Sequence, residues 1–142
     1  MSNIIQSLWI GKTLSTMERM CISSYICHGH EFHLYCYNDI DEVPENCTVK
    51  DAREILPEEQ IFSYNVGLGK GSYSAFSNYF RYKLLELKGN WWTDTDMVCL
   101  KKIDIQDNFV FASEKTADGN THVTSGIIKS PPNSEFSKYC YN

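Results

Sequence analysis

The sequence lacks any apolar run near the roughly 20 residues that a membrane-spanning helix needs. It also lacks a basic start followed by an apolar stretch, so we expect neither a transmembrane segment nor a secretory signal. Basic residues are not in excess, because the net charge is -5, and this excludes a general nucleic-acid binder. The six cysteines form no Cys-x-x-Cys pair, and because no secretory signal is expected we interpret them as reduced thiols of a cytoplasmic protein.

The overall composition is that of an ordinary globular protein. The chain has 142 residues, of which 42% are hydrophobic and 22% are charged, and this predicts one soluble α/β domain over residues 1–142. His28, His30 and His33 lie near one another in the sequence, but no regular element would direct all three at one point. A zinc site is therefore not expected there.

The first 37 residues predict a strand, a helix and a second strand. Residues 4–11 read as a strand that ends at a glycine, and residues 31–37 alternate as a strand does. Between them, Ser15 and Glu18 form a capping-box pattern, and Gly29 suits a helix end. Such a βαβ unit implies parallel pairing with a right-handed crossover. Residues 38–72 are irregular, with short strands expected within 49–56 and 61–64, and residues 67–71 read as a glycine-rich connector rather than a phosphate loop.

An amphipathic helix follows, and it ends at Gly89. One apolar arc contains Tyr73, Phe76, Phe80, Leu84 and Leu87, which predicts the face that the helix buries. Two polar residues three positions apart, Asn78 and Arg81, should lie side by side on another face.

Two carboxylates, Asp94 and Asp96, follow a short aromatic strand that contains Trp91 and Trp92. If the segment is extended, alternate side chains point the same way, and both carboxylates could face one hard divalent cation such as Mn²⁺ or Mg²⁺. The alternative is a solvated turn. Further strands are expected over 108–113 and 122–129, with a helix after Asn133.

Taken together, Ser-Asn-x-x-Arg and Gly-Asn-x-Trp-x-Asp-x-Asp resemble motifs of the DXD-containing, sugar-nucleotide-dependent glycosyltransferases. The likeness is to the branch with a Ser-Asp-x-x-Arg helix and a Gly-Gly-x-Tyr-x-Asp-x-Asp strand, which includes α-1,4- and α-1,6-glycosyltransferases and the glucosylating toxins. The opening Trp-Ile-Gly resembles the end of that family's first strand. Asn78 and Asn90 depart from the family, which has Asp and Gly at these positions.

The resemblance implies a GT-A-like (Rossmann-like) mixed, mainly parallel sheet flanked by helices. It implies a metal-assisted transfer, with retention of configuration, from a UDP- or GDP-linked sugar to a saccharide or glycolipid acceptor, as in polysaccharide biosynthesis. Asp94 and Asp96 would bind the Mn²⁺ or Mg²⁺ ion, and Trp9 would stack on the base. The implied nucleotide-sugar-binding residues are Trp9, Ile10, Gly11, Asn78, Arg81, Asp94 and Thr95. Thr124-Ser125-Gly126 loosely matches a strand that lines the family's active site.

The resemblance covers only the first part of a typical family member, so a C-terminally truncated fold and a possible homodimer are expected. No residue can be assigned as a catalytic base. The alternative function is a non-catalytic sugar-nucleotide or metal-binding module that lacks the acceptor half. A metal-dependent phosphohydrolase is a third reading, for which His122 is a candidate further ligand.

Overall fold

The structure is a computed structural model that describes residues 3–142, and it is a mixed α/β domain. One six-stranded sheet, mostly parallel, has the order β3-β2-β1-β4-β6-β5. Its elements, in chain order, are β1 (Ile5–Trp9), α1 (Thr16–Cys27), β2 (Phe32–Cys36), β3 (Cys47–Asp51), α2 (Ser74–Lys88), β4 (Asn90–Thr93), β5 (Val110–Lys115), β6 (Thr121–Ser130) and α3 (Glu135–Tyr141). No helix among residues 3–142 is long and apolar enough to cross a bilayer.

The four strands on one side of the sheet are parallel. β1 pairs with β2 and with β4, and β2 pairs with β3, all in parallel register. The predicted βαβ unit is therefore confirmed. Beyond β4 the direction reverses, because β6 runs antiparallel to β4 and forms a hairpin with β5 at the sheet edge.

Helices cover both faces of the sheet, and strand alternation supplies two cores. Leu8 and Trp92 pack with α2 on one face, whereas Ile5 and Trp91 pack with α1 on the other. Trp91 and Trp92 are both almost fully buried, so each face of β4 contributes one large aromatic ring. This burial fixes the position of β4 firmly between the two helical layers.

The predicted end of helix α2 at Gly89 and the central part of its predicted apolar face are confirmed. Phe76, Phe80 and Leu84 are completely buried, but Tyr73 and Leu87 are 42% and 43% exposed, so the predicted apolar arc was too wide. Leu85 is buried in their place. The helix ends at Gly89, whose φ of +65° and ψ of -152° suit glycine almost exclusively.

Several local predictions were wrong. Ser15 precedes α1 as predicted, but its side chain caps no backbone N–H and instead contacts the Glu18 carboxylate. Residues 61–64 form no strand, and only Tyr64 makes an isolated bridge, to Lys70. In contrast, the strand and turn predicted within 49–56 are present, because β3 runs to Asp51 and the short 3₁₀ turn Ala52–Glu54 follows it.

Candidate functional site

The two carboxylates predicted to bind a metal lie in a turn at the carboxyl end of β4. The strand ends at Thr93, and the Met97 N–H donates to the Asp94 carbonyl at 3.4 Å, which closes the turn. The Asp94 N–H donates to the Gly126 carbonyl of β6 at 2.8 Å. The extended conformation that we considered for 94–96 is therefore wrong, and the turn was the correct alternative. Residues 97–100 follow it without regular structure.

A hydrogen-bonded chain of three side chains connects α2 to this turn. Arg81 donates from Nη2 to Asp94 Oδ1 at 2.7 Å and from Nη1 to Asn78 Oδ1 at 2.8 Å. The predicted neighbourhood of Asn78 and Arg81 is thus confirmed. Arg81 is 3% exposed, and its guanidinium carbon lies 5.1 Å from the centre of the Trp92 ring. Trp92 Nε1 also donates to Asp94 Oδ1, at 2.9 Å, so two donors fix this oxygen.

The remaining carboxylate oxygens are free of protein donors among the described residues. Asp94 Oδ2 has no hydrogen-bond donor there, and it lies on the side of the carboxylate that faces Gly126. Asp96 is exposed and makes no hydrogen bond or ion pair within residues 3–142. Asp94 Oδ1 already accepts hydrogen bonds from Arg81 and Trp92. The carboxylate oxygens still available to a bound ion or molecule are therefore Asp94 Oδ2 and both oxygens of Asp96.

These residues line one crevice of about 310 Å³ at the carboxyl ends of β1 and β4. In the sheet, β2 and then β3 lie on one side of β1, and β4 lies on its other side. The strand order therefore reverses between β1 and β4, and α/β sheets commonly bind ligands at such a switch point. The crevice brings together five of the predicted residues, which are Asn78, Arg81, Asp94, Thr95 and Asp96.

A second pocket of about 310 Å³ adjoins the first and contains two more predicted residues, Trp9 and Ile10. Leu8, Ser74, Ser77 and Thr95 line both pockets, so the two form one continuous cleft. Trp9 is half-buried at the end of β1, and its indole N–H donates to the Thr13 carbonyl at 3.1 Å.

Gly11 does not line either pocket. It packs against the Trp9 indole with a φ of +141°, and a Cβ at this position would lie 3.3 Å from Nε1. Gly11 therefore permits the close approach of the backbone to the indole. The backbone contact of Gly11 with a nucleotide stays a prediction.

Other residues of the cleft were missed by the sequence reasoning. They are Ser7, Leu8, Met17, Ser74, Ser77 and Trp92, whereas Ser125, which also lines the first pocket, belongs to the Thr124-Ser125-Gly126 match. Of these, Ser7 is the most informative, because its hydroxyl is buried and has no partner among the described residues. The Nε of Arg81 is also buried and unpartnered. The sequence carries no signal that singles out Ser7, because an unpartnered hydroxyl is visible only in the folded structure.

Helix α1 borders the cleft with Met17, and it also carries the buried Cys21 one turn further along the chain. Burial raises the pKa of the Cys21 thiol, and the nearby carboxylates of Asp96 and Glu18 raise this pKa further. A thiol with a raised pKa stays protonated, so Cys21 is a poor nucleophile and a poor metal ligand. Asp96 nevertheless lies close enough to α1 to act on this thiol electrostatically.

The donor set fits a hard divalent cation that shares its ligand shell with a substrate. The free carboxylate oxygens of Asp94 and Asp96 are the ligand type that Mg²⁺ and Mn²⁺ prefer. Within residues 3–142 there is no group of three or more His, Cys, Asp or Glu side chains arranged to hold a metal alone. The remaining ligands would therefore come from water and phosphate oxygens.

A larger pocket of about 730 Å³ lies elsewhere, at the ends of β2 and β3. Its prominent cation, Arg53, is already paired with Asp51 at 3.2 Å and with Glu58 at 2.5 Å. No buried unpartnered side-chain atom among the described residues belongs to this pocket. We therefore assign the candidate site to the cleft between β1 and β4 rather than to the larger cavity.

Comparison with models of protein families finds no family that matches this sequence. A search among curated proteins likewise finds no match.

Proposed function

We propose that this chain is a metal-assisted glycosyltransferase with a GT-A-like fold, which takes its sugar from a nucleotide diphosphate sugar. The observation that supports this most is the Asn78–Arg81–Asp94 chain beside the free Asp96 carboxylate, in a cleft at the switch point of the sheet. These are the residues in which the sequence resembles the DXD glycosyltransferases. The acceptor class proposed is a saccharide or glycolipid.

In this proposal each part of the donor is assigned to one of the two adjoining pockets. The diphosphate and sugar would occupy the pocket of Asp94 and Asp96, and the base would lie in the adjoining pocket of Trp9 and Ile10. Asp94 Oδ2 and Asp96 would hold Mn²⁺ or Mg²⁺. When bound, such an ion neutralises the diphosphate and so makes it a better leaving group.

The protein's own groups would orient the donor. Asn78 Oδ1 accepts from Arg81, so the group that Asn78 has left for a sugar hydroxyl is its amide N–H₂, which donates. Arg81 holds Asp94 in position through its hydrogen bond to Oδ1, so Asp94 Oδ2 would stay available to the ion. The half-buried Trp9 would offer an apolar surface to the base.

A second candidate is a binding module without transferase activity. Asn78 is the observation that favours it, because the resembled family has a carboxylate at this position. An asparagine leaves Asp94 as the only carboxylate paired with Arg81 among the described residues.

Product analysis separates these functions. The protein is incubated with UDP- and GDP-linked sugars, Mn²⁺ and a panel of saccharide acceptors, and the products are separated by mass spectrometry. A glycosylated acceptor supports the transferase. Nucleotide binding without any product supports the binding module, and donor hydrolysis that no acceptor redirects supports a phosphohydrolase.

A further inference from the structure

A third pocket, of about 540 Å³, opens between α2, α3 and the β5–β6 hairpin. Its centre is Phe136 of α3, whose ring meets Phe111 at 5.0 Å and Tyr82 at 6.0 Å, both nearly perpendicular. The pocket is lined by Tyr82, Phe111, Val123, Thr124, Ser125, Ile128 and Phe136. None of these side chains is charged, and three of them carry a hydroxyl group.

This pocket, which we call the Phe136 pocket, shares one lining residue with the cleft described above. Ser125 lines both of them. The next residue along β6, Gly126, accepts the hydrogen bond from the Asp94 N–H at 2.8 Å. A molecule in the Phe136 pocket would therefore lie beside the turn that carries the two carboxylates.

We propose that the Phe136 pocket binds the acceptor as a neutral saccharide. A pyranose ring has an apolar C–H face and a rim of hydroxyl groups, and the pocket offers the matching pair of surfaces. The rings of Phe111 and Phe136 supply the apolar wall, and Thr124 and Ser125 supply hydroxyl partners on one side. Without a charged lining residue, the pocket gives no counterion to a phosphorylated or acidic sugar. Its volume falls within the range of about 300–1,000 Å³ that is usual for small-molecule sites.

This inference rests on the proposed function for its chemistry. An acceptor hydroxyl oxygen would form a bond to the anomeric carbon of the donor sugar, while the bond from that carbon to the diphosphate oxygen breaks. The bonding electron pair leaves with the nucleoside diphosphate, and the hydroxyl proton is transferred to that leaving group. The Phe136 pocket would hold the acceptor beside the reacting bond, which is how positioning accelerates a two-substrate reaction.

The experiment is a ¹H–¹⁵N titration of the full chain with neutral probes, namely the methyl glycosides of glucose, galactose, mannose and N-acetylglucosamine. At millimolar concentration, at least one probe is expected to shift the amide signals of Thr124, Ser125 and Phe136. Phe136→Leu removes the aromatic wall and is expected to weaken the affinity about tenfold. Phe109→Leu is the matched control, because Phe109 touches the same aromatic cluster, 6.5 Å from Phe136, without lining the pocket.

Thr124→Val provides a second variant if Phe136→Leu does not fold, since it removes one hydroxyl and keeps the shape of the side chain. UDP and GDP binding with Mn²⁺ is measured on the same samples. If a nucleotide binds and no probe shifts these signals, or if both pocket variants bind as the wild type does, the acceptor pocket is overturned and the proposed function stands. If probes bind here but neither nucleotide binds, the saccharide pocket stands and the proposed function fails.

Discussion

Arg81 Nη2 lies 2.7 Å from Asp94 Oδ1, so a nearly inaccessible guanidinium on α2 is paired with a carboxylate that is 36% exposed at the edge of the cleft. This pair connects the helical layer to the turn after β4. The Arg81 guanidinium is buried against the Trp92 ring, and the Asp94 carboxylate lines the cleft. The proposed binding site and the packing of α2 on the sheet therefore share these two residues.

Replacing Arg81 by Met tests this dependence. We expect Arg81→Met to lower the free energy of unfolding, because Asp94 loses its partner and keeps only the Trp92 N–H. The loss should fall below the roughly 3–5 kcal/mol seen when a fully buried pair is broken, since Asp94 reaches solvent. Urea denaturation of Arg81→Met, Asp94→Asn and the double variant measures the coupling. A coupling free energy near zero would show that the pair contributes nothing to stability.

Gly89→Ala should destabilise the domain through the backbone. Gly89 has a φ of +65°, and an added Cβ would lie 2.6 Å from Pro132 Cδ and 2.7 Å from Pro132 N. The strained conformation alone costs about 1–3 kcal/mol for a residue with a side chain, and the contact with Pro132 adds to it.

The matched control for this variant is Gly119→Ala. Gly119 also has a positive φ, of +83°, but its Cβ would meet nothing within 4 Å. Thermal denaturation should show a clearly larger loss for Gly89→Ala than for Gly119→Ala. Equal losses would mean that the approach of Pro132 to the end of α2 has no energetic effect.

We expect the free energy of unfolding to depend on pH through His30, which is buried just before the amino end of β2. Its Nε2 accepts a hydrogen bond from the Ile103 N–H at 3.0 Å, so the ring must be neutral. Burial lowers the pKa of His30 from 6.5, and the positive charges of Lys102 and His28 lower this pKa further, against an opposing hydrogen bond with the Asn3 backbone. The unfolded chain therefore takes up the proton first as pH falls.

The stability that neutral His30 contributes is fully present above pH 6.5, and it is lost as pH falls from 6.5 through the lower pKa of the folded state. Urea denaturation over this range should show a falling free energy of unfolding in the wild type and a flatter profile in His30→Gln. His122→Gln serves as the control, because His122 is an exposed histidine on β6. Identical slopes for the wild type and His30→Gln would contradict this account.

The elements that the sequence predicted are those with local periodicity. The alternation of β2 and the apolar spacing around Phe80 sufficed to locate β2 and α2, because burial on one face leaves a regular pattern. The insertion of β6 between β4 and β5 was not predictable in this way, because strand pairing between distant segments leaves no local signal. The exposure of Tyr73 and Leu87 could not be predicted either. A helical wheel shows which residues share a face of the helix, but not how much of that face the rest of the protein covers.

In the candidate site, too, contacts within one element could be predicted, whereas contacts between distant elements could not. Asn78 and Arg81 are three residues apart on a helix, so their contact followed from geometry. The pairing of Arg81 with Asp94 joins separate elements, and only the family resemblance placed both residues in one site. Ser7 was missed because a single hydroxyl in a strand has many structural explanations, and its unpartnered state appears only in three dimensions.

The most direct test of the proposed function is calorimetric titration with UDP and with GDP, each with and without Mn²⁺. We expect one nucleotide to bind in the presence of Mn²⁺, and Asp96→Asn to abolish this metal-dependent binding, because Asp96 supplies carboxylate oxygens that are free of protein donors. Asp107→Asn, at another exposed aspartate, should bind as the wild type does. Binding of neither nucleotide, or unchanged Mn²⁺-dependent binding by Asp96→Asn, would contradict the proposal that Asp94 and Asp96 form a nucleotide-sugar site.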